Sequence, residues 1–536
     1  MKETIIEKLT NIVINKFGKE YAPLIEVSRV TKPHIDADFY SNIAMKLAKS
    51  LKQNPGNIAK DITEAIVDLD GISVSVAKPG YINFQINKNL KNNSVYEIAM
   101  TDDLLASFKV DNPKKIHLEF VSANPTGPLH VGHGRGAIFG NVLKKFLKVQ
   151  GHDVHSEYYV NNVGNQMRNL WESVRRRHSG DKVDLDEDDL YVGDYIDDVH
   201  AAVSKSIKGD FENCNEKEAI DILCDIMISK FIKPDLDYLD ITFDEWYKES
   251  NLVEDDSVKK IIEKLKNSKD AIEVDGALML KADELRAMIK SNGDLTYFAS
   301  DLAYHDKKLK NYELVIDIWG ADHHGYVPRI REGLKKLGHD DSKLQVKLIQ
   351  FANLYKNKEK ISMSTRKGTF VTLKKLADEI GNDAIYFFYL TKNSNQHLDF
   401  DLDVAVSQDK NNPVYYIQYA HARICSIFRI LDDNDSKFNF DKHKLNLLNK
   451  DEELNIMKKL SSYPDIIINS AKKFEPHLLT NYMKELAQEV HSYYNKYQVL
   501  VDDKDLRNAR LSLMQATKHV FENSGRIVGI TMPEKM

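Results

Sequence analysis

Ser122-Ala123-Asn124-Pro125-Thr126-Gly127-Pro128-Leu129-His130-Val131-Gly132-His133-Gly134 joins a stretch patterned as a strand to one patterned as a helix. Upstream, Ile116, Leu118 and Phe120 fall on one face at a period of two. Downstream, Val131, Ile138, Phe139, Val142, Leu143, Phe146 and Leu147 recur at helical spacing. Between them Pro125, Thr126, Gly127 and Pro128 break both periods and predict a tight loop. A helix entered from such a loop presents free backbone N–H groups and the positive end of its dipole to an anion. His130 and His133 share one side of that first turn, and Gly132 leaves room for a flat ring against the backbone. The stretch therefore predicts a strand–loop–helix site suited to a triphosphate.

Around it, the chain of 536 residues is too long for one core and predicts three or four domains. Its 42% hydrophobic and 29% charged residues are the balance of an ordinary globular protein, and no apolar run reaches the length of a membrane span. The N-terminus alternates charged and apolar residues as an amphipathic helix does, which is not the pattern of a signal peptide. Three scattered cysteines, Cys214, Cys224 and Cys425, argue against a disulfide framework and a cysteine zinc site, so a cytoplasmic location is expected. A net charge of −6 neither advertises an RNA partner nor excludes one, because binding needs only a local basic patch.

Residues 1–110 mix helix and strand patterns and contain a hairpin-like unit around Lys78-Pro79-Gly80, predicting an α+β domain. Residues 111–380 alternate strands and helices, with a polar insertion over about 165–290. There Leu314-Val315-Ile316-Asp317-Ile318-Trp319-Gly320 reads as a buried parallel strand ending in Ala321-Asp322-His323-His324-Gly325. This predicts an α/β, doubly wound, Rossmann-like parallel sheet with its ligand site at the strands' carboxyl ends. Residues 381–410 read as a connecting region, and 411–536 as an α-helical bundle with few glycines.

His130-Val131-Gly132-His133 resembles the His-x-Gly-His signature of class I aminoacyl-tRNA synthetases, and the longer string from Ser122 resembles the arginyl-tRNA synthetase version. The resemblance extends over essentially the whole chain. It implies an ATP-dependent arginine–tRNA ligase, with magnesium carried by the nucleotide, no protein-bound metal, and a requirement for tRNA before the first step. It further implies an N-terminal domain that contacts the tRNA corner, a 381–410 region near the tRNA stem, and an anticodon-binding helical domain. A monomer with no membrane partner is the default expectation.

Site residues follow from the same resemblance. His130 and His133 take the phosphate role, with Pro128, Gly132, Gly320 and Asp322 lining the ATP site. Arginine is assigned to Glu119, Ser122, Asn124, His133, His324, and the Tyr297 and Asp301 of a Thr-Tyr-x-x-x-Asp string. Carboxylates in that set suit a guanidinium, which they can hold in bidentate geometry. Where the family carries Lys-Met-Ser-Lys-Ser, this chain reads Lys360-Ile361-Ser362-Met363-Ser364-Thr365-Arg366-Lys367-Gly368. Aligned on Met363 and Ser364, assigned to ATP, the motif lysines become Ser362 and Thr365. Lys360, Arg366 and Lys367, or else Lys114 and Lys115, are then the candidates for the leaving pyrophosphate. Tyr415, Tyr419, Arg423 and Tyr497 are assigned to tRNA, since unpaired bases stack on tyrosines. Two rival readings stand beside this one. A catalytically silent RNA-binding relative is favoured only by the altered loop, and another class I synthetase, such as the cysteine enzyme, would need zinc-ligating cysteines.

Overall fold

The computed structural model describes all residues except 31–34, 36, 67–68, 102, 181–189, 208–210, 212–213, 362–370, 434–437 and 439. At the N-terminus, β1 (Val27–Arg29), β2 (Phe39–Ser41), β3 (Ile72–Ala77) and β4 (Tyr81–Ile86) form an antiparallel sheet in the order β1-β2-β4-β3. Alternation along β4 buries Ile82, Phe84 and Ile86 against the helices Lys2–Phe17, Ile43–Leu51 and Pro55–Glu64. The expected hairpin is β3–β4. The helix Lys88–Met100 then leaves this unit and packs against Lys504–Val528 at the far end of the chain.

The central sheet comprises β5 (Lys115–Glu119), β6 (Asp153–Val160) and β7 (Glu245–Lys248), and two strands that follow a three-stranded antiparallel insertion. That insertion is β8 (Ala271–Val274), β9 (Ala277–Leu280) and β10 (Arg286–Ile289); then come β11 (Leu314–Gly320) and β12 (Leu344–Ile349). The order β12-β11-β5-β6-β7 is parallel throughout, a doubly wound sheet whose strand order switches sense between β5 and β11. The stretch 165–290, expected as one insertion, is in fact two, because β7 runs through it as a strand of the main sheet. Glu245-Trp246-Tyr247-Lys248 is too short to show a period of its own, and only pairing with β6 makes it a strand.

The helix Val131–Val149, called here the signature helix, covers one face of the sheet, and Tyr297–Asn311, the pocket helix, lies against the other. The signature helix presents Gly140 to Phe120 so closely that a Cβ would lie 2.2 Å from the ring. Its Arg135 is buried without a carboxylate; the guanidinium donates to the carbonyls of Gln350 (2.8 Å), Gln396 (2.7 Å) and Asn393 (2.9 Å), and burial pulls its pKa down to about 10. These carbonyls frame a small sheet, β13 (Ala352–Lys356), β14 (Glu359–Lys360) and β15 (Leu398–Asp401), that leads into the bundle. The bundle consists of Pro413–Asp433, Asp451–Lys473, His477–Lys496 and Lys504–Val528, with Tyr463, Tyr493 and Phe521 fully buried. No described helix is long and apolar enough to cross a membrane.

Two glycines of the signature helix should respond oppositely to alanine. Gly136 has no heavy atom within 4 Å of an added Cβ, so Gly136→Ala should stabilise by about 0.5–1 kcal/mol through helix propensity. Gly140→Ala meets the Phe120 ring and should destabilise by about 1–3 kcal/mol. Thermal unfolding midpoints that move in the same direction would contradict this packing.

Candidate functional site

Where β5 ends, Val121 (φ 68°) and Ser122 (φ 43°) both adopt left-handed backbone, costly for side chains of these types and most of all for β-branched valine. Ser122 Oγ accepts from the Tyr159 amide (3.1 Å), Ala123 O accepts from the Tyr158 hydroxyl (2.8 Å), and Thr126 O accepts from the Tyr195 hydroxyl (2.8 Å). These bonds hold the loop over which the chain climbs into the signature helix.

His130 caps that helix. Its Nδ1 accepts from the Gly132 amide (3.0 Å), the His133 Nδ1 accepts from the His130 amide (3.3 Å), and the two rings stack with centroids 3.9 Å apart. His130 crowds Gly132 on one side: a Cβ there would lie 2.8 Å from His130 Cε1. Burial lowers both imidazole pKa values, His133's to about 3. With Nδ1 accepting, each neutral ring carries its proton on Nε2. The pair is thus a set of neutral N–H donors at a helix N-terminus, not imidazolium cations.

Across the switch point, β11 delivers Gly320, Asp322 and His324 to the same carboxyl edge. Asp322 and His323 are exposed and 3.7 Å apart. Ser122, Asn124 and Pro128 sit on the loop beside them, Asn124 exposed. The segment after the altered Lys-Met-Ser-Lys-Ser string is stapled to the signature loop: Val131 N donates to Val371 O (3.2 Å) and Leu373 N to Leu129 O (2.8 Å). At the other end Ile361 N donates to Leu354 O (2.9 Å), and Lys360 is exposed in β14. Met363, Ser364, Arg366 and Lys367 lie outside the described residues. Lys114 and Lys115 stand at the amino end of β5, opposite to His130, with Lys115 Nζ 5.0 Å from the Tyr312 ring. The strand between is about 16 Å long at 3.3 Å per residue, so the structure does not bring these two lysines to the site.

Thr296 caps the pocket helix, its Oγ1 accepting from Ala299 N (3.3 Å). One turn in, Asp301 Oδ2 accepts from the Tyr326 hydroxyl (2.6 Å), while Tyr297 is 57% exposed and lies over Gly164. Glu119 is buried and already engaged: Lys308 Nζ lies 2.5 Å from its Oε2 and 2.9 Å from Asp317 Oδ1. A carboxylate that the sequence reading passed over stands beside Asp301. Glu249, 4% exposed just past the end of β7, lies beside Asp301 and the Ser300 and Tyr159 hydroxyls. Burial and the Asp301 charge push its pKa up to about 7, and burial raises Asp301 as well. Among the described residues, neither carboxylate has an ion-pair partner. Its position after a strand of the central sheet was the available signal, hidden because that strand was not evident.

In the bundle, Tyr415 and Tyr419 stack (6.0 Å), and the Arg423 guanidinium lies over the rings of Tyr419 (4.4 Å) and Tyr494 (4.8 Å). Tyr497 is not part of this patch; it packs on Tyr493 and under Arg510.

Three family models match in chain order: "Arginyl tRNA synthetase N terminal domain" over residues 1–86, "tRNA synthetases class I (R), catalytic domain" over 94–407, and "DALR anticodon binding domain" over 417–536. The chain is 39% identical to an arginine–tRNA ligase of Thioalkalivibrio sulfidiphilus, over 96% of its own length and 95% of the relative's. It is likewise 39% identical to one of Coxiella burnetii, over 99% of each chain. The solved arginyl-tRNA synthetase of Thermus thermophilus shares its fold, with a TM-score of 0.80 at 19% identity over 100% of both chains. The chain belongs to the arginyl-tRNA synthetase family.

Proposed function

We propose that this protein joins arginine to its tRNA in two ATP-dependent steps, and that the paired carboxylates of Asp301 and Glu249 select the amino acid. The observation that carries this reading is that pair: buried Glu249 and part-buried Asp301 lie together, burial pushes both carboxyls up, and neither has an ion-pair partner among the described residues. A guanidinium supplies two charge-assisted hydrogen-bonding edges to such a site. Tyr297 covers the aliphatic stem, and Glu119, Ser122, Asn124 and His324 hold the α-amino and carboxylate end toward the nucleotide.

In the first step the arginine carboxylate attacks the α-phosphate of ATP, and pyrophosphate leaves with its magnesium. The protein aligns the two groups and stabilises charge on the phosphate oxygens. The Nε2–H groups of His130 and His133 and the free N–H groups of the signature helix supply that stabilisation. Gly132, Pro128, Gly320, Asp322, Met363 and Ser364 surround the nucleotide. Lys360, Arg366 and Lys367 contact the leaving pyrophosphate; the staple at 129–131 and 371–373 supports this reading by tying their loop to the histidines. In the second step a ribose hydroxyl of the terminal adenosine attacks the arginyl carbonyl, and AMP leaves. The tRNA body is held by the Tyr415–Tyr419–Arg423 patch, by the N-terminal domain of residues 1–110 at the tRNA corner, and by 381–410 near the stem. The protein works in the cytoplasm as a monomer, without a membrane partner.

Attachment of each of the twenty amino acids to total tRNA tests the reading directly; charging with arginine alone is expected, and charging with a different one would refute it. Glu249→Gln and Asp301→Asn should each lower kcat/KM for arginine by at least about 30-fold, the equivalent of about 2 kcal/mol of lost charge-assisted bonding. An unchanged value for Glu249→Gln would remove it from the pocket. For the loop, pyrophosphate exchange with tRNA present should fall more than about ten-fold in at least one of Lys360→Ala, Arg366→Ala and Lys367→Ala, since a phosphate contact strengthening in the transition state is worth that much or more. Smaller effects in all three would place the leaving-group contact elsewhere.

A further inference from the structure

Beyond the helix Lys504–Val528 the chain turns at Gly529, and residues 530–534 bridge the catalytic part of the molecule and the bundle. Gly529 has left-handed backbone (φ 87°), and an added Cβ would lie 2.7 Å from the Tyr386 ring, so the turn needs a bare residue. Ile530 is buried, its amide donating to Gly525 O (3.0 Å).

Asp383, in the first turn of the helix Asn382–Tyr389, collects this segment. Its Oδ1 accepts from the Thr531 amide (2.9 Å), and its Oδ2 accepts from the Thr531 hydroxyl and from Gln418 Nε2 (2.7 Å). Gln418 Nε2 also donates to Thr531 O (3.0 Å). Three charge-assisted bonds on one carboxylate fix its partners in direction as well as distance. One turn along the same helix, the Tyr386 hydroxyl donates to Leu239 O (2.6 Å) and accepts from Asn141 Nδ2 of the signature helix (2.7 Å). Thr531 lies 148 positions from Asp383, so no local pattern in the sequence marks the pair.

The same segment grips the bundle helix Pro413–Asp433 along one face. After Gln418 come His421, whose Nδ1 donates to Pro533 O (3.0 Å), and Arg429, whose Nη1 donates to Glu534 O (2.8 Å). Tyr415, Tyr419 and Arg423, at steps of four, lie along a neighbouring face of that helix. The rotation that Asp383 and residues 530–534 impose on the helix is therefore also the rotation of the aromatic patch.

We propose that Asp383 is a positioning residue for the transfer step: through residues 530–534 it fixes the helix Pro413–Asp433 relative to the signature helix, so that a tRNA seated on Tyr415, Tyr419 and Arg423 delivers its terminal adenosine to the site. The proposal rests on the reading of that patch as a tRNA contact. Misplacing a reacting group by about 1 Å from afar can cost about 100-fold in rate, so the alignment is worth holding rigidly.

The test sets steady-state charging of an arginine tRNA beside binding of its isolated anticodon stem-loop, both by the full chain well below its unfolding temperature. At saturating tRNA, kcat should fall at least about 10-fold in Asp383→Ala and about 3-fold in Thr531→Val. KM for arginine and for ATP, and stem-loop affinity, should stay within about two-fold in both variants. Asp383→Asn, which keeps an acceptor for the Thr531 amide, should lose less than Asp383→Ala. Thr531 is exposed, so Thr531→Val keeps the fold and remains informative if Asp383→Ala does not. A packing role alone would lower the unfolding midpoint and leave kcat unchanged; that result would overturn the proposal. So would a loss in Asp383→Ala with none in Thr531→Val, because Asp383 would then act by a contact of its own. Tyr419→Ala separates the two readings: it should weaken stem-loop binding about 10-fold through lost base stacking. Unchanged binding there would refute the patch and this proposal with it. Weakened binding, with kcat unchanged in the Asp383 and Thr531 variants, would refute the positioning alone.

Discussion

Lys308 is the point on which the pocket depends. Its ammonium lies between Glu119 of β5 and Asp317 of β11, the two strands flanking the switch point, while His305 one turn earlier bonds Asp317 through Nε2 (2.8 Å). All four groups are buried. Such a network gains little net stability over an apolar core, because desolvating the charges offsets most of their attraction. Its value here is positional. Removing one partner would strand the others as buried charges, so the pocket helix has one rotation against the sheet. That rotation sets Asp301 beside Glu249, and among the described residues this pair has no ion-pair partner, whereas Glu119 has Lys308.

A similar economy governs the nucleotide side. Burial makes charged imidazoles unfavourable at His130 and His133, and each Nδ1 is used to cap the helix that the histidines themselves begin. The geometry that caps the helix is thereby the geometry that leaves Nε2–H as the donor of each ring. Arg366 and Lys367 lie in the stretch between Lys360 and Val371, and Val371 O accepts from Val131 N. In the proposed reaction, preorganised neutral donors and the cationic side chains of that stretch divide the work of stabilising phosphate charge.

What was legible in the sequence follows from how local its cause is. The strand, loop and signature helix announce themselves because period, proline and glycine act within a dozen residues. β11 is equally plain as a continuous apolar run, and the bundle as long amphipathic helices. β7 is not, since four residues carry no period and only the neighbouring β6 makes them a strand. Glu249 disappears with it. The engagement of Glu119 by Lys308 joins residues 189 positions apart, and the buried Arg135 finds its carbonyls more than 200 positions away. Lys114 and Lys115 were near the loop in sequence, yet a strand separates them from it. The family resemblance supplied Glu119 and Asp301; which of the two remains open to a cation is a property of tertiary pairing.

In the proposed reading arginine is recognised by Asp301 together with Glu249, whose carboxyl is partly protonated near neutral pH until the guanidinium arrives. The most direct test is calorimetry of arginine binding at pH 6.5 and pH 8 in buffers of different ionisation enthalpy. Glu249, with its pKa raised to about 7 in the free protein, is mostly protonated at pH 6.5 and must lose that proton to pair with the cation. The account predicts release of more than about half a proton at pH 6.5, little at pH 8, and affinity that rises with pH between them. Proton uptake at pH 6.5, or no proton exchange at either pH, would contradict it.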